Sequence, residues 1–202
     1  MPALTLTVAG RTDRGVHALG QVASYGGPPA PLRSLNAMLP ADVGVRACQP
    51  APDGFSARRD AKARAYLYRV HTRRSGPSPF ERRRALWWPH RVDEEALAAC
   101  AAALAGERDF TAFTPTATYH QRFRRVVFAA SFERVAEDLL EFRIEADAFM
   151  RNMNRVLVGT MLEVAGGRRT LADFERPLDG APRSAAGPTA PAHGLYLAAV
   201  RY

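Results

Sequence analysis

Between Leu139 and Asp147 the chain alternates: Leu140, Phe142, Ile144 and Ala146 fall on one side, Glu141, Arg143 and Glu145 on the other. A period of two lines one face of an extended strand with apolar side chains and gives the opposite face to charge, a pattern that a helix cannot keep on one side. Such a strand fits an antiparallel sheet with one covered face. Similar alternation predicts strands at Leu4, Leu6 and Val8, at Val43, Val45 and Ala47, at Tyr66, Tyr68 and Val70, across 126–132, and at Leu195, Leu197 and Ala199. Three stretches show helical spacing instead. Residues 31–39 open on Pro31 at a first-turn position, and residues 93–105 start on a capping Asp93, carry Leu97, Cys100, Ala101 and Leu104, and stop at Gly106. In the third, 149–165, Met150, Met153, Leu157, Met161 and Val164 recur before Gly166 and Gly167, which predicts Arg151 and Arg155 on neighbouring turns of one helix. Runs of strands interspersed with a few helices point to an α+β fold.

At 202 residues, 47% apolar and 24% charged, the chain can bury one large core or two modest ones. It holds no run near the ~20 apolar residues of a membrane span, and its first residues carry neither a basic leader nor a long apolar stretch, so the cytoplasm is the expected compartment. Cys48 and Cys100 match no metal-ligand spacing and read as buried thiols. A net charge of +8 and a pI near 10.3 favour a polyanionic partner, because neutralised phosphates release counterions. The signal is diluted by its chemistry: nearly all the basic residues are arginine in an alanine-rich chain, a pairing that genomic base composition also produces.

The segment AGRTDRGVHALGQV, residues 9–22, gathers Arg11, Asp13, Arg14 and His17 around Gly10 and Gly15 just after a predicted strand. The glycines permit a tight loop, and the flanking arginines favour a charged carboxylate at Asp13. A carboxylate so placed can serve as a nucleophile, but residue types alone favour a turn cap paired with Arg11. Asp13 and His17 are too few ligands to make a metal site.

This segment resembles the GRTDxGVHAxxQV signature of the TruA family of tRNA pseudouridine synthases. SLNAMLP (34–40), FSARRDAKARAYLYRV (55–70), RDFTAF (108–113), FMRNMNRVLVG (149–159) and GLYLAAV (194–200) are similar to further blocks of that family, in the same order. The resemblance implies an α+β pseudouridine synthase fold, with two ferredoxin-like antiparallel sheets flanking a central basic cleft and Asp13 at its floor. It divides the chain into an N-terminal lobe, 1–52, carrying the catalytic loop, and a C-terminal lobe, 53–202, completing the site. The front of the first lobe is expected to be truncated, because Met1 falls just upstream of the strand that leads into the loop.

By motif, Asp13 matches the catalytic aspartate, Tyr66 the active-site tyrosine and Arg155 the arginine that pairs with the aspartate. Tyr66 would stack on a flipped uracil and offer a hydroxyl near C5. Arg11 and Arg14 would grip phosphates beside the target; Arg58, Arg59, Lys62 and Arg64 would draw RNA toward the site; His17 would shape the loop or touch RNA. The family implies uridines at positions 38 to 40 of the tRNA anticodon stem-loop as substrate, a homodimer, and neither metal nor organic cofactor. Ser56, Asn154 and His193 depart from the family's usual histidine, valine and acidic residue. Two other readings compete: a noncatalytic tRNA-binding or folding protein on the same scaffold, and a metal-dependent nuclease, which the lack of a second acidic cluster near Asp13 disfavours.

Overall fold

The computed structural model describes residues 4–118 and 120–202. Its strands are β1 (Thr7–Val8), β2 (His17–Ala18), β3 (Ala23–Ser24), β4 (Ala63–His71), β5 (Leu86–Trp87), β6 (Gly106–Asp109), β7 (Arg124–Ala136), β8 (Leu139–Ala146) and β9 (Leu195–Arg201). The helices are α1 (Leu32–Met38), α2 (Glu94–Ala103), α3 (Met153–Ala165) and α4 (Leu171–Glu175). Seven strands form one sheet in the order β2-β9-β4-β8-β7-β6, with β5 pairing β4 off this path, while β1 and β3 pair apart as a two-stranded ribbon. The class is α+β. The sheet is mostly antiparallel, as the alternation in β8 requires, with short parallel pairings of β2 on β9 and β5 on β4.

The register of β4 against β8 positions the rest. Tyr66, Tyr68 and Val70 stand opposite Ile144, Phe142 and Leu140, so all six point to one face. That face is the core: Tyr68, Val70, Leu140 and Phe142 are fully or almost fully buried beneath α2 and α3. The opposite face is ionic, with Arg69 bridging Glu81 and Glu141, and Arg201 reaching Glu145.

Asp93 caps α2 as its sequence predicts, its side chain accepting the Ala96 N–H. α3 ends in a Schellman arrangement in which the N–H groups of Gly167 and Arg168 reach the carbonyls of Val164 and Glu163, with Gly167 at φ +74°. Its start differs from expectation. The helix begins at Met153 rather than near 149, because Asn152 sits at φ +61° in the left-handed region and breaks the run; Arg151 therefore lies outside the helix that carries Arg155. Residues 43–47 form no strand. The Asn36 side chain takes both backbone groups of Val45, donating to its carbonyl at 2.9 Å and accepting its N–H at 2.7 Å, which removes the ladder partners a strand would need. β1 is shorter than the alternation suggests, with Leu4 and Leu6 largely exposed.

Candidate active site

The loop of residues 9–22 is tied at its neck. Ala9 donates its N–H to the Val22 carbonyl at 2.8 Å, and the Gln21 side chain grips the backbone of Gly10 from both sides, donating to its carbonyl at 2.6 Å and accepting its N–H at 3.4 Å. At the tip, Val16 N–H closes a turn onto the Asp13 carbonyl, and Gly15 supplies the φ of +85° that the turn needs at its third position. Asp13 is thereby presented at the surface, its side chain 42% exposed.

Three elements converge on it. From the first turn of α3, Arg155 Nη1 approaches Asp13 Oδ2 to 3.6 Å. Two other bonds aim that guanidinium: Nε donates to the Ala190 carbonyl at 2.7 Å and Nη1 to Asn152 Oδ1 at 2.9 Å. The left-handed Asn152 thus starts the helix and steers its arginine. Ala190 in turn donates its N–H to the Arg155 carbonyl, so the 187–190 segment and α3 hold each other. From β4, Tyr66 occupies the end of the core face, with Phe149 edge-on to its ring at 4.9 Å. A Cβ on Gly10 would lie 3.5 Å from the Tyr66 hydroxyl, which places the ring against the loop that carries Asp13. Burial pushes the Tyr66 phenol up; the nearby Arg64 opposes this and the Asp13 charge adds to it.

Asp13, Tyr66 and Arg155 are therefore brought together from segments 53 and 89 residues apart along the chain. The remaining predicted residues divide. Arg11 and Arg14 flank Asp13, are exposed, and have no side-chain partner among the described residues, and the same holds for Arg58 and Lys62; Arg59 makes one long contact to the Gly54 carbonyl at 3.4 Å. These five remain open to an anionic ligand.

Arg64 and His17 are committed elsewhere. The Arg64 guanidinium donates to the carbonyls of Ala9, Arg58, Ala61 and Asp147 at 2.7 to 3.2 Å, stapling the neck of the 9–22 loop to the ends of β4 and β8. His17 stacks on Tyr196 at 4.6 Å, and its Nε2 lies 2.8 Å from the Arg83 carbonyl. Both position the loop, which for His17 is one of its two expected roles. Gln21, Asn152 and Ala190 were not singled out by sequence. Asn152 carried a signal in its residue type, since asparagine tolerates left-handed backbone beside a helix start; the Ala190 carbonyl carried none.

Asn154, the helix residue next to Arg155, is 4% exposed, with its Oδ1 unpaired among the described residues. Among the described residues no group of three or more His, Cys, Asp or Glu could hold a metal ion, and no helix is long and apolar enough to cross a membrane.

Comparison with known proteins follows the same lines. Residues 100–202 match a family model described as tRNA pseudouridine synthase. That match includes Arg155 but neither Asp13 nor Tyr66. Whole-chain relatives reach further. A protein named tRNA pseudouridine synthase A from Frankia casuarinae is 42% identical over all of this chain and 75% of its own length. Proteins of the same name from Geobacillus kaustophilus and Bacillus subtilis are 39% and 38% identical, over 98% and 96% of this chain and 78% and 80% of theirs.

Proposed function

Because the chain belongs to the tRNA pseudouridine synthase family, we propose that it isomerises uridine to pseudouridine at positions 38 to 40 of the tRNA anticodon stem-loop. The observation that carries this reading is the meeting of Asp13, Arg155 and Tyr66 at the end of the core face. Residues 1–52 bring the catalytic loop, and residues 53–202 complete the site with the tyrosine and the arginine. The working form is a homodimer in the cytoplasm, with tRNA as its partner and with neither metal nor organic cofactor.

The reaction breaks the bond from C1′ to N1, turns the freed uracil, and joins C5 to C1′. The hydrogen on C5 leaves as a proton and N1 takes one up, so atoms balance without a co-reactant. Asp13 acts as the covalent or acid–base group, either adding to C6 of the ring or reacting at the sugar; both routes need its carboxylate open to the substrate, as its exposure supports. Arg155 orients that carboxylate and stays in place itself because the Ala190 carbonyl and Asn152 hold its guanidinium. Tyr66 presents a ring for the flipped base. Its buried phenol is neutral at physiological pH, so it receives the C5 proton by passing its own onward, as a relay.

Incubating the protein with unmodified tRNA transcripts and mapping pseudouridine chemically tests the reading. Pseudouridine at 38, 39 or 40 is expected. Tight tRNA binding with no pseudouridine anywhere would favour the noncatalytic alternative instead.

A further inference from the structure

On the ionic face of the sheet, beyond the end of β4, residues 72–85 form a loop with a composition of its own: Arg73, Arg74, Arg82, Arg83 and Arg84 against the single acid Glu81. Glu81 is neutralised by Arg69 at 3.1 Å, while Arg82, Arg83 and Arg84 are exposed. Under this loop lies a cavity of about 270 Å³, near the lower end of small-ligand pockets at about 300 Å³. His71, Glu81, Arg82, Trp87 and His193 are among the residues that line it. Trp87 is held by its indole N–H, which donates to the Arg73 carbonyl at 2.9 Å, yet the residue remains 39% exposed. His71 is only 8% exposed, and its Nδ1 has no partner among the described residues.

We propose that this cavity and its arginine rim are a second RNA site, in which an unpaired nucleotide of the bound tRNA stacks on Trp87 and presents a polar edge to His71 while Arg82, Arg83 and Arg84 hold the adjoining phosphates. The inference rests on the proposed tRNA activity. An immobilised aromatic beside a buried, unpaired imidazole and a run of exposed arginines is the combination that recognises a splayed-out base together with its backbone. The site is within reach of the chemistry. His17 touches the Arg83 carbonyl at 2.8 Å and lies four residues from Asp13, a span of at most about 14 Å, so one tRNA held at Asp13 extends past the rim. A second copy of the chain fits this face poorly, because a two-fold contact here would bring like arginines together.

The test uses the full chain and unmodified tRNA, with affinity read by fluorescence anisotropy over a range of salt. Replacing Arg82, Arg83 and Arg84 together by Gln should weaken binding about tenfold or more at low salt and reduce the slope of log K against log salt by about two to three. Trp87→Ala should weaken binding about five- to hundredfold with the slope unchanged, and Trp87→Phe, which keeps a ring, should restore most of it. Single-turnover rates at saturating enzyme should match the parent in all three, because none of these side chains lies at Asp13. Kd values within twofold of the parent for both the triple variant and Trp87→Ala overturn the proposal, as does equal weakening by Ala and Phe at position 87. A shift in oligomeric state with unchanged RNA affinity overturns it in favour of a subunit contact. The outcomes separate from those for the activity: a parent that binds tRNA but makes no pseudouridine sinks the enzymatic reading, whereas an active parent with indifferent variants sinks only this surface.

Discussion

Asp13 and Arg155 stand 3.6 Å apart, close enough to attract and too far to share a normal hydrogen bond, which leaves the carboxylate oxygens open to a substrate. Asp13→Asn keeps size and turn geometry while removing charge and nucleophilicity. It should lower the single-turnover rate by several orders of magnitude with tRNA affinity within a few-fold of the parent, and appreciable residual pseudouridine formation would remove Asp13 from the chemistry. Tyr66 separates two duties. Tyr66→Phe keeps the ring and its contact with Phe149, so binding should persist; if the hydroxyl relays the C5 proton, single turnover should slow about a hundredfold or more. A rate near the parent's would leave Tyr66 as a stacking platform. Both residues were legible in the sequence only through the family motif, since a lone aspartate between arginines also caps turns and a strand tyrosine is usually core. Arg64 shows the reverse. Its place in a basic run suggested RNA, but a guanidinium has enough donors to serve four carbonyls at once, and spacing along the chain cannot reveal where those carbonyls converge.

At the scale of elements, α3 does most to build the site, and it does so by close approach. A Cβ on Gly159 would lie 1.9 Å from the Pro188 carbonyl oxygen, so only glycine lets the helix meet the 187–190 segment that holds Arg155 through Ala190. Gly159→Ala should therefore cost about 1–3 kcal/mol, measured as a lower urea midpoint, and should slow turnover as the Ala190 carbonyl is pushed off the guanidinium. An unchanged midpoint and rate would mean that the segment moves aside freely. The elements themselves were largely readable. β8 and α2 were legible because a one-sided alternation and a capping aspartate are local signals that tertiary context reinforced. The 43–47 segment was misread for an equally physical reason: its alternation is real, but the Asn36 side chain competes for the backbone of Val45, and nothing in that segment announces a partner nine residues upstream. The helical period through 149–152 likewise hid the left-handed Asn152, because periodicity reports side-chain type and not backbone hand.

For the whole molecule, exposed charge governs the expected salt dependence and buried neutral groups govern the alkaline limit of stability. Arg58, Arg59 and Lys62 are exposed near the neck of the 9–22 loop; replacing all three by Ala should flatten the salt dependence of tRNA binding by about two to three in slope, and an unchanged slope would place them away from phosphate. At high pH the fold should weaken through its core. Burial pushes the Cys100 thiol up to about 12, with the charge of Glu175 adding to the shift, and burial also raises Tyr68 and Tyr66. In the unfolded chain these groups titrate near about 8.5 for cysteine and about 10 for tyrosine. Above those values the unfolded state sheds protons that the folded state keeps, so the unfolded state binds fewer protons and stability falls as pH rises. The stabilisation is fully present below about pH 8.5 and is lost progressively toward pH 12, with a slope of about 1.4 kcal/mol per pH unit for each group while it is ionised only in the unfolded chain. Urea midpoints at pH 8, 9 and 10 should decline accordingly. Between pH 8.5 and 10 Cys100 contributes most, because an unfolded tyrosine is only half ionised at about pH 10 and less so below it. Cys100→Ala should therefore lower the midpoint at pH 8 by leaving a small gap in the core, yet flatten the fall from pH 8 to pH 10. If parent and variant decline in parallel over that range, the buried thiol is not what loosens the fold in base.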